Sequence, residues 1–566
     1  MAVASALVSI RSMKRLLATT RGMIRRASLG TPSSAGSTGS ITGETDSPSP
    51  LACPRTAFPA PHFRSFRAAT PAAPESLCGL LKCPSMSDSR PFRPPAPNCA
   101  PDSTRPMPHA SLLHRPDRCK NRRTICFIRT EYLESEMNLE DLILVSVDDH
   151  IVEPEDMFDK HMPAKYRDRA PHVSKGTNGA HHWQIEDARA PGLGLNAVIG
   201  RPKEEYGMEP VAYDQVRPGC YDVDARIGDM NVNGVLASIN FGSFPGFGGY
   251  RFFTMKDKDL ALATVRAYND WHFHEWCQKY PGRFIPCGYL PLWDVDAAAD
   301  ELKRIAKLGF RTVAFPDNPA KVGLPSLHHD QWNKLWKIFN DERIVISCHI
   351  GSSGNAPYAS DLSPIDAWIT SMPISIANSA ADWLFAAFWK KFPDLRMCLS
   401  EGGIGWVPYL IERADFTVQQ HGAWIRSNVK DEKPSDVFKR HIITCFIDDK
   451  FGLKNRHEIG VDMIAWECDY PHSDALWPHS AENIWDQIQD LPVDEINKMT
   501  HENVLREFRW DPFTPMGGKQ NCTVGALRQA GINVDTRPIS KGGLKALGDG
   551  ESPVTSADII RILSHV

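Results

Sequence analysis

No apolar run in this 566-residue chain approaches the ~18 residues that a bilayer-spanning helix needs, so such a helix is excluded. Closely spaced cysteines are also missing from the larger part of the chain. The eight after residue 136, from Cys220 to Cys522, are far apart and form no CxxC pair, which argues against a disulfide framework. Several stand in apolar runs such as Val345-Ile346-Ser347-Cys348-His349, where a thiol is ordinarily a small buried hydrophobe and not a nucleophile. No GxGxxG follows the first strand-like run, so the usual dinucleotide site is lacking. Tryptophan is absent from the first 136 residues, which nonetheless hold 17 of the 44 prolines. A stretch without large apolar side chains cannot bury enough surface to offset the entropy of ordering.

Charge divides at the same place. The whole chain has 64 basic and 68 acidic side chains, 64 − 68 = −4. Residues 1–136 carry 19 − 9 = +10 and the remainder 45 − 59 = −14, so the foldable part repels phosphates and nucleic acid is not its partner. Residues 1–43 hold six basic side chains and no acidic one, and Ser12 to Arg26 alternates Arg and Lys with Leu, Met and Ile, the composition of a mitochondrial transit segment. A second reading starts translation at Met137, just before the first strand-like run. The expected division is therefore a disordered extension over 1–136, a folded unit over 137–513 and a surface tail over 514–566 that wraps the domain or meets a partner subunit. The expected compartment is the cytoplasm, or the mitochondrion if the extension is retained.

From Met137 onward, short β-branched or apolar runs alternate with longer segments of helical period. Eight strands are predicted: 143–148, 235–241, 284–290, 312–315, 344–349, 396–401, 441–445 and 464–469. A helix after the third is capped by Asp294, buries Val295, Ala298, Leu302 and Ile305, and stops at Gly309. Others are predicted from about Lys256 to Tyr280, near Gln331 to Asn340, and at Thr523 to Ala530. Eight strands with intervening helices favour an α/β fold closed as a (β/α)8 barrel. The long interval from Ile151 to Asn233 is an insertion after strand one. It holds His181-His182-Trp183-Gln184-Ile185 and a glycine-rich turn at Gly192 to Gly194, and is read as a lid or substrate wall.

Barrel enzymes place their chemistry at the C-terminal strand ends, and polar residues collect there. Strand one runs into Asp148-Asp149-His150-Ile151-Val152-Glu153, where Asp148 and His150 point to one side and can share a divalent ion. Strand five ends in His349, strand six in Glu401-Gly402-Gly403, and strand eight in Asp469-Tyr470-Pro471-His472. Each has an ordinary structural reading alone, as a turn, a cap or a satisfied histidine. The glycines after His349 lack the Lys-Ser/Thr of a phosphate-binding loop. Their joint placement at strand ends points to a site.

In this order the residues resemble the amidohydrolase superfamily, most closely its amidohydrolase-related branch, which includes aminocarboxymuconate-semialdehyde and resorcylate decarboxylases. The resemblance rests on Ser146 to Pro154, Phe392 to Leu395, Ser400 to Gly403 and Cys468 to His472. It implies a distorted (β/α)8 barrel holding one divalent metal ion, zinc or manganese, with Asp148, His150, His349 and Asp469 as ligands. Asp148 stands where many members have histidine, and Glu153 is an alternative carboxylate ligand. Glu401 stands where many members have a proton-handling histidine. No lysine occupies Phe310 to Pro316, which argues against a lysine-bridged two-metal site. The expected enzyme is a hydrolase or a non-oxidative decarboxylase of a small organic acid or aromatic carboxylate. Asp469 is the expected proton carrier, Glu401 orients or serves a second proton step, and His472 binds an anionic group or a loop carbonyl. Trp477 is a candidate pocket wall. The expected partners are a small-molecule substrate and a second copy of the chain. The alternative is a barrel that has lost catalysis and serves as a binding or scaffold protein.

Overall fold

The computed structural model describes residues 137–541 and 552–565, apart from 177–178, 191–192, 194–195, 208–211 and 355–357. The expected extension over 1–136, and Gly192, Gly194 and Leu195 of the insertion, lie outside the described residues.

Eight parallel strands line the core. They are β1 (Leu144–Ile151), β2 (Val235–Gly242), β3 in two pieces (Phe284–Ile285 and Cys287–Gly288), β4 (Thr312–Ala314), β5 (Val345–His349), β6 (Met397–Ser400), β7 (Ile442–Phe446) and β8 (Ile464–Trp466). Pro286 divides β3, because it has no N–H to give to a ladder; its carbonyl still accepts from Arg311 N and Thr312 N. The first piece pairs with β2, at Ser238 with Phe284, and the second with β4, at Cys287 with Thr312. The two ends of the sheet therefore belong to one segment, and the sheet closes on itself in the order expected of a (β/α)8 barrel. All residues of β1, β2, β5 and β7 are buried, as a parallel sheet covered on both faces requires.

Three expected strand boundaries are corrected. β1 runs on to Ile151 because Asp149, His150 and Ile151 pair with Asn240, Phe241 and Gly242 of β2, so Asp148 and His150 lie inside the strand. β8 stops at Trp466 and not at Asp469. Asp469 sits at φ +59°, which no strand ladder accommodates. β6 likewise ends at Ser400, since Glu401 has φ +58°.

The helix Val295–Leu308 follows its pattern: Asp294 caps it, Ala298, Leu302 and Ile305 are buried, and Gly309 ends it at φ +113°. The helix before β3 is shorter than predicted, Lys258–Trp271, and its last turn widens over His272–Cys277. The helix before β5 begins at Asn333 and runs to Glu342. In the insertion, His172–Lys175, His181–Ile185 and Ala188–Arg189 form an antiparallel three-stranded sheet. That sheet ties to the chain before Lys258, where Glu186 accepts the N–H groups of Lys256 and Asp257. Beyond Phe513, Val524–Ala530 forms a helix capped by Thr523, and Val524 N donates to Leu142 O beside the start of β1.

Asp294 accepts from Asp296 N and Ala297 N at 2.9 and 3.1 Å. Asp294→Ala removes that cap and is expected to cost about 1 kcal/mol, read as a lower urea midpoint with metal content unchanged.

Candidate metal centre and active site

β1 delivers Asp148 and His150, β5 ends in His349, and the left-handed turns after β6 and β8 deliver Glu401 and Asp469. The side chains converge. His150 Nε2 lies 3.2 Å from both Asp148 Oδ1 and Asp469 Oδ1. His349 Nε2 lies 3.4 Å from Asp148 Oδ2, 3.0 Å from Glu401 Oε2 and 3.2 Å from His150 Nε2. Asp148, His150, His349 and Asp469 are all fully buried, and Glu401 is 7% exposed.

The protons decide what this cluster is for. His349 Nδ1 donates to the Ile350 carbonyl at 2.7 Å, which leaves its Nε2 as a lone pair aimed at the carboxylates. Among the described residues, none donates a hydrogen bond to either oxygen of Asp148, to Asp469 Oδ2 or to Glu401 Oε2, although all are buried. Ionised, these groups place acceptor against acceptor at contact distance, an arrangement that a cation between them, or protons on the carboxyls, satisfies. Two imidazoles and two carboxylates are a fitting donor set for one divalent ion. The groups Asp148–His150–His349 and His150–Asp469–His472 each bring their ligand atoms within 4.8 Å of one another and share His150.

Electrostatics agree. Burial, then the carboxylates of Glu467, Glu401 and Asp149, raises the Asp148 pKa well above the ordinary range. Burial, then Glu401 and Asp148, does the same to Asp469. Burial, then the rings of His472 and His349, lowers the His150 pKa, which keeps its imidazole in the neutral, ligating form.

His472 Nδ1 donates to Asp469 Oδ1 at 2.8 Å, and its ring stacks on His150 at 3.7 Å. It thus orients Asp469. Glu153 is drawn elsewhere. Its Oε2 accepts Phe244 N at 2.8 Å and its Oε1 accepts Tyr268 Oη at 3.0 Å, so geometry favours Asp148 as the β1 carboxylate. Trp477 packs under Arg217, 4.2 Å away, and donates to the Asp229 carbonyl; it does not line the cavity beside the site.

Two supports were not read from the sequence. Glu467, buried beneath the cluster, accepts the Glu401 N–H at 2.9 Å and the Cys445 thiol at 2.7 Å, and burial pushes its pKa up to about 8. A glutamate in the apolar run Met463-Ile464-Ala465-Trp466-Glu467 was the available signal. Arg226, fully buried, donates to the carbonyls of Gly219 and His150 and stacks on Tyr470 at 4.2 Å. Beside the cluster lies a cavity of about 310 Å³, bounded at one end by Glu401, Ser473 and Asp474 and elsewhere largely by apolar side chains. From the insertion, Asn196 and Tyr206 line it, whereas the three-stranded sheet expected to do so does not.

A family model described as Amidohydrolase matches residues 180–510, more than half of the chain. The chain belongs to the amidohydrolase family. It is a metal-dependent enzyme of that superfamily, and the scaffold alternative finds no support in a site whose ligands converge. The matched stretch begins after β1, so Asp148 and His150 are joined to the family site by geometry. Among similar proteins, 2-amino-3-carboxymuconate-6-semialdehyde decarboxylase of Dictyostelium discoideum is 24% identical over 272 residues, 46% of this chain and 69% of that protein. Gamma-resorcylate decarboxylase of Rhodococcus jostii is 22% identical over 337 residues, 54% and 93% respectively. A solved amidohydrolase of Mycobacterium avium subsp. paratuberculosis superposes with a TM-score of 0.52 at 19% identity, covering 65% of this chain and 99% of its own, which supports the fold.

Elemental analysis is expected to find Asp148→Asn well below one metal ion per chain, while Glu153→Gln keeps its metal. Protons and metal compete for Asp148 and Asp469, whose metal-free carboxyls hold protons to higher pH than exposed ones. The rise in Tm on adding manganese is therefore expected to shrink as pH falls from neutrality.

Proposed function

We propose that the protein is a non-oxidative decarboxylase of a small aromatic or enoic carboxylate, dependent on one divalent ion. The observation that carries this reading is the largely apolar cavity lined by Glu401, whose Oε2 lies 3.0 Å from His349 Nε2 of the four-ligand cluster. A flat apolar acid fits that pairing, its ring in the cavity and its carboxylate toward the ligands. The decarboxylases among its relatives support the same choice over hydrolysis. Two hard carboxylate oxygens beside two imidazoles lean the set toward manganese over zinc.

When bound, the ion supplies positive charge that holds substrate oxygens and draws electrons from the bond to the departing carboxylate. The chain's own residues do the rest. Asp469 Oδ1 is engaged by His150 and His472, which leaves Oδ2 to hold a proton and deliver it to the carbon that loses CO2. His472 keeps the Asp469 carboxyl in one orientation during that transfer. Glu401, held at its amide by Glu467, orients the substrate from the cavity side or serves a second proton step. Full burial of the ligands excludes bulk water, so the proton comes from a side chain. Free, buried thiols at eight positions from Cys220 to Cys522 support a reducing compartment, the cytoplasm. The exposed rings of Tyr409 and Trp424 would suit a homodimer contact.

The test is release of CO2 from a panel of aromatic and enoic acids by manganese-loaded enzyme. Cleavage of esters or amides without CO2 release overturns the reading. Asp469→Asn is expected to lose at least ~100-fold in kcat.

A further inference from the structure

Part of the cavity wall comes from beyond the family-matched stretch, which ends at residue 510. Val554 and Ile559, from the C-terminal segment, line the same cavity as Glu401. They are held there by backbone bonds to the segment after β5. Val554 O accepts Ile365 N at 2.8 Å, Ser556 N donates to Ser363 O at 2.9 Å, and Ala557 N donates to Asp361 O at 2.9 Å. Thr555 bridges to Pro364, and Ser556 and Ile559 are buried. The segment is thus docked by an isolated β-bridge and the start of a helix, and Val554 and Ile559 line the cavity. Ile365, Ile369 and Met372 line the same cavity.

The charge of the lining is one-sided. Among the described residues, no Lys, Arg or His lines the cavity, whereas Glu401 and Asp474 do. A carboxylate directed at the metal ligands has its countercharge there. A second anionic group in the cavity would meet two acids and no donor cation, and a buried charge without a partner is strongly disfavoured. The volume of about 310 Å³ lies within the ~300–1,000 Å³ typical of small-molecule sites, enough for a ring carrying an apolar substituent.

We propose that residues 554–559 form the specificity wall of the active site, selecting carboxylates whose distal end is apolar and bears no second negative charge. The inference rests on the reading of the centre as one that binds a substrate carboxylate. It adds a substrate class: alkyl- or aryl-extended monoacids, as opposed to diacids.

Calorimetry on the manganese-loaded full chain tests it with benzoate, 4-butylbenzoate and isophthalate as probes. Wild type is expected to bind 4-butylbenzoate about tenfold tighter than benzoate, since each buried methylene adds to affinity, and isophthalate more weakly than benzoate. In Ile559→Ala and Val554→Ala the ratio of butylbenzoate to benzoate affinity is expected to fall several-fold. Val554→Trp, which fills the space without removing contacts from the core, is expected to abolish the preference. If these three variants keep the wild-type ratio, or if isophthalate binds as tightly as benzoate, the wall is overturned while the decarboxylase reading stands. Failure of all three acids to bind overturns both.

Discussion

Burying several carboxylates around one point, with no Lys or Arg among the described residues paired to them, is the constraint to which the rest of this molecule answers. Asp148 and Asp469 are fully buried carboxylates, and the Nε2 atoms of His150 and His349 face them at 3.2 to 3.4 Å. Removing such a charge from water costs several kcal/mol unless a partner compensates. Among the described residues, no Lys or Arg forms an ion pair with Asp148, Asp469 or Glu401. Arg226, a buried guanidinium beside β1, donates to the carbonyls of Gly219 and His150 and pairs with Asp149 at 3.9 Å. The compensating charge must therefore come from outside the chain, and the barrel is organised to receive it.

Holding these groups in place takes backbone that departs from regular strand. Glu401 and Asp469 both adopt left-handed φ values near +58°, unusual for side chains with a Cβ. Each has its amide tied down. Glu401 N donates to Glu467, and Asp469 N donates to Asp148 O at 2.7 Å. Cys468 N reaches Ser146 Oγ at 2.9 Å and His150 N reaches Tyr470 O at 2.6 Å, so the exit of β8 is laced to β1 just where the ladder lapses. A strained turn is thus converted into a fixed aim for two carboxylates.

Much of this was legible in the sequence because strand ends carry two coincident signals, an apolar run and the polar residue that ends it. The eight runs, the Asp294-capped helix and the gathering of polar residues at strand ends follow from that coincidence, while the choice of four ligands among them came from the family resemblance. The ends of β6 and β8 did not, since a left-handed residue that is not glycine leaves no mark in composition. Glu153 and Asp148 could not be ranked from spacing alone; the difference lies in Phe244 N and Tyr268 Oη, which come from segments far along the chain. Arg226 and Glu467 were hidden for the same reason. A buried charged residue in a helix or strand reads as an anomaly until its partners are known.

The two halves of the site are built from different kinds of segment. The candidate ligands come from β1 and β5, which are held in the barrel ladder, and from the turn after β8, whose Asp469 amide is bonded to Asp148 O of β1. The cavity walls come from Asn196 and Tyr206 of the insertion, from 365–373 after β5, and from Val554 and Ile559. These segments lie outside the ladder, so a change in their side chains alters the shape offered to a substrate without moving a ligand atom. Glu401 is where the halves meet, since it lines the cavity and also contacts His349 Nε2. A carboxylate there in place of an imidazole makes the cavity more acidic and gives the centre one more oxygen. The same substitution thus bears on which acid enters and on how its proton is handled, and Glu467 beneath it keeps both effects in a single orientation.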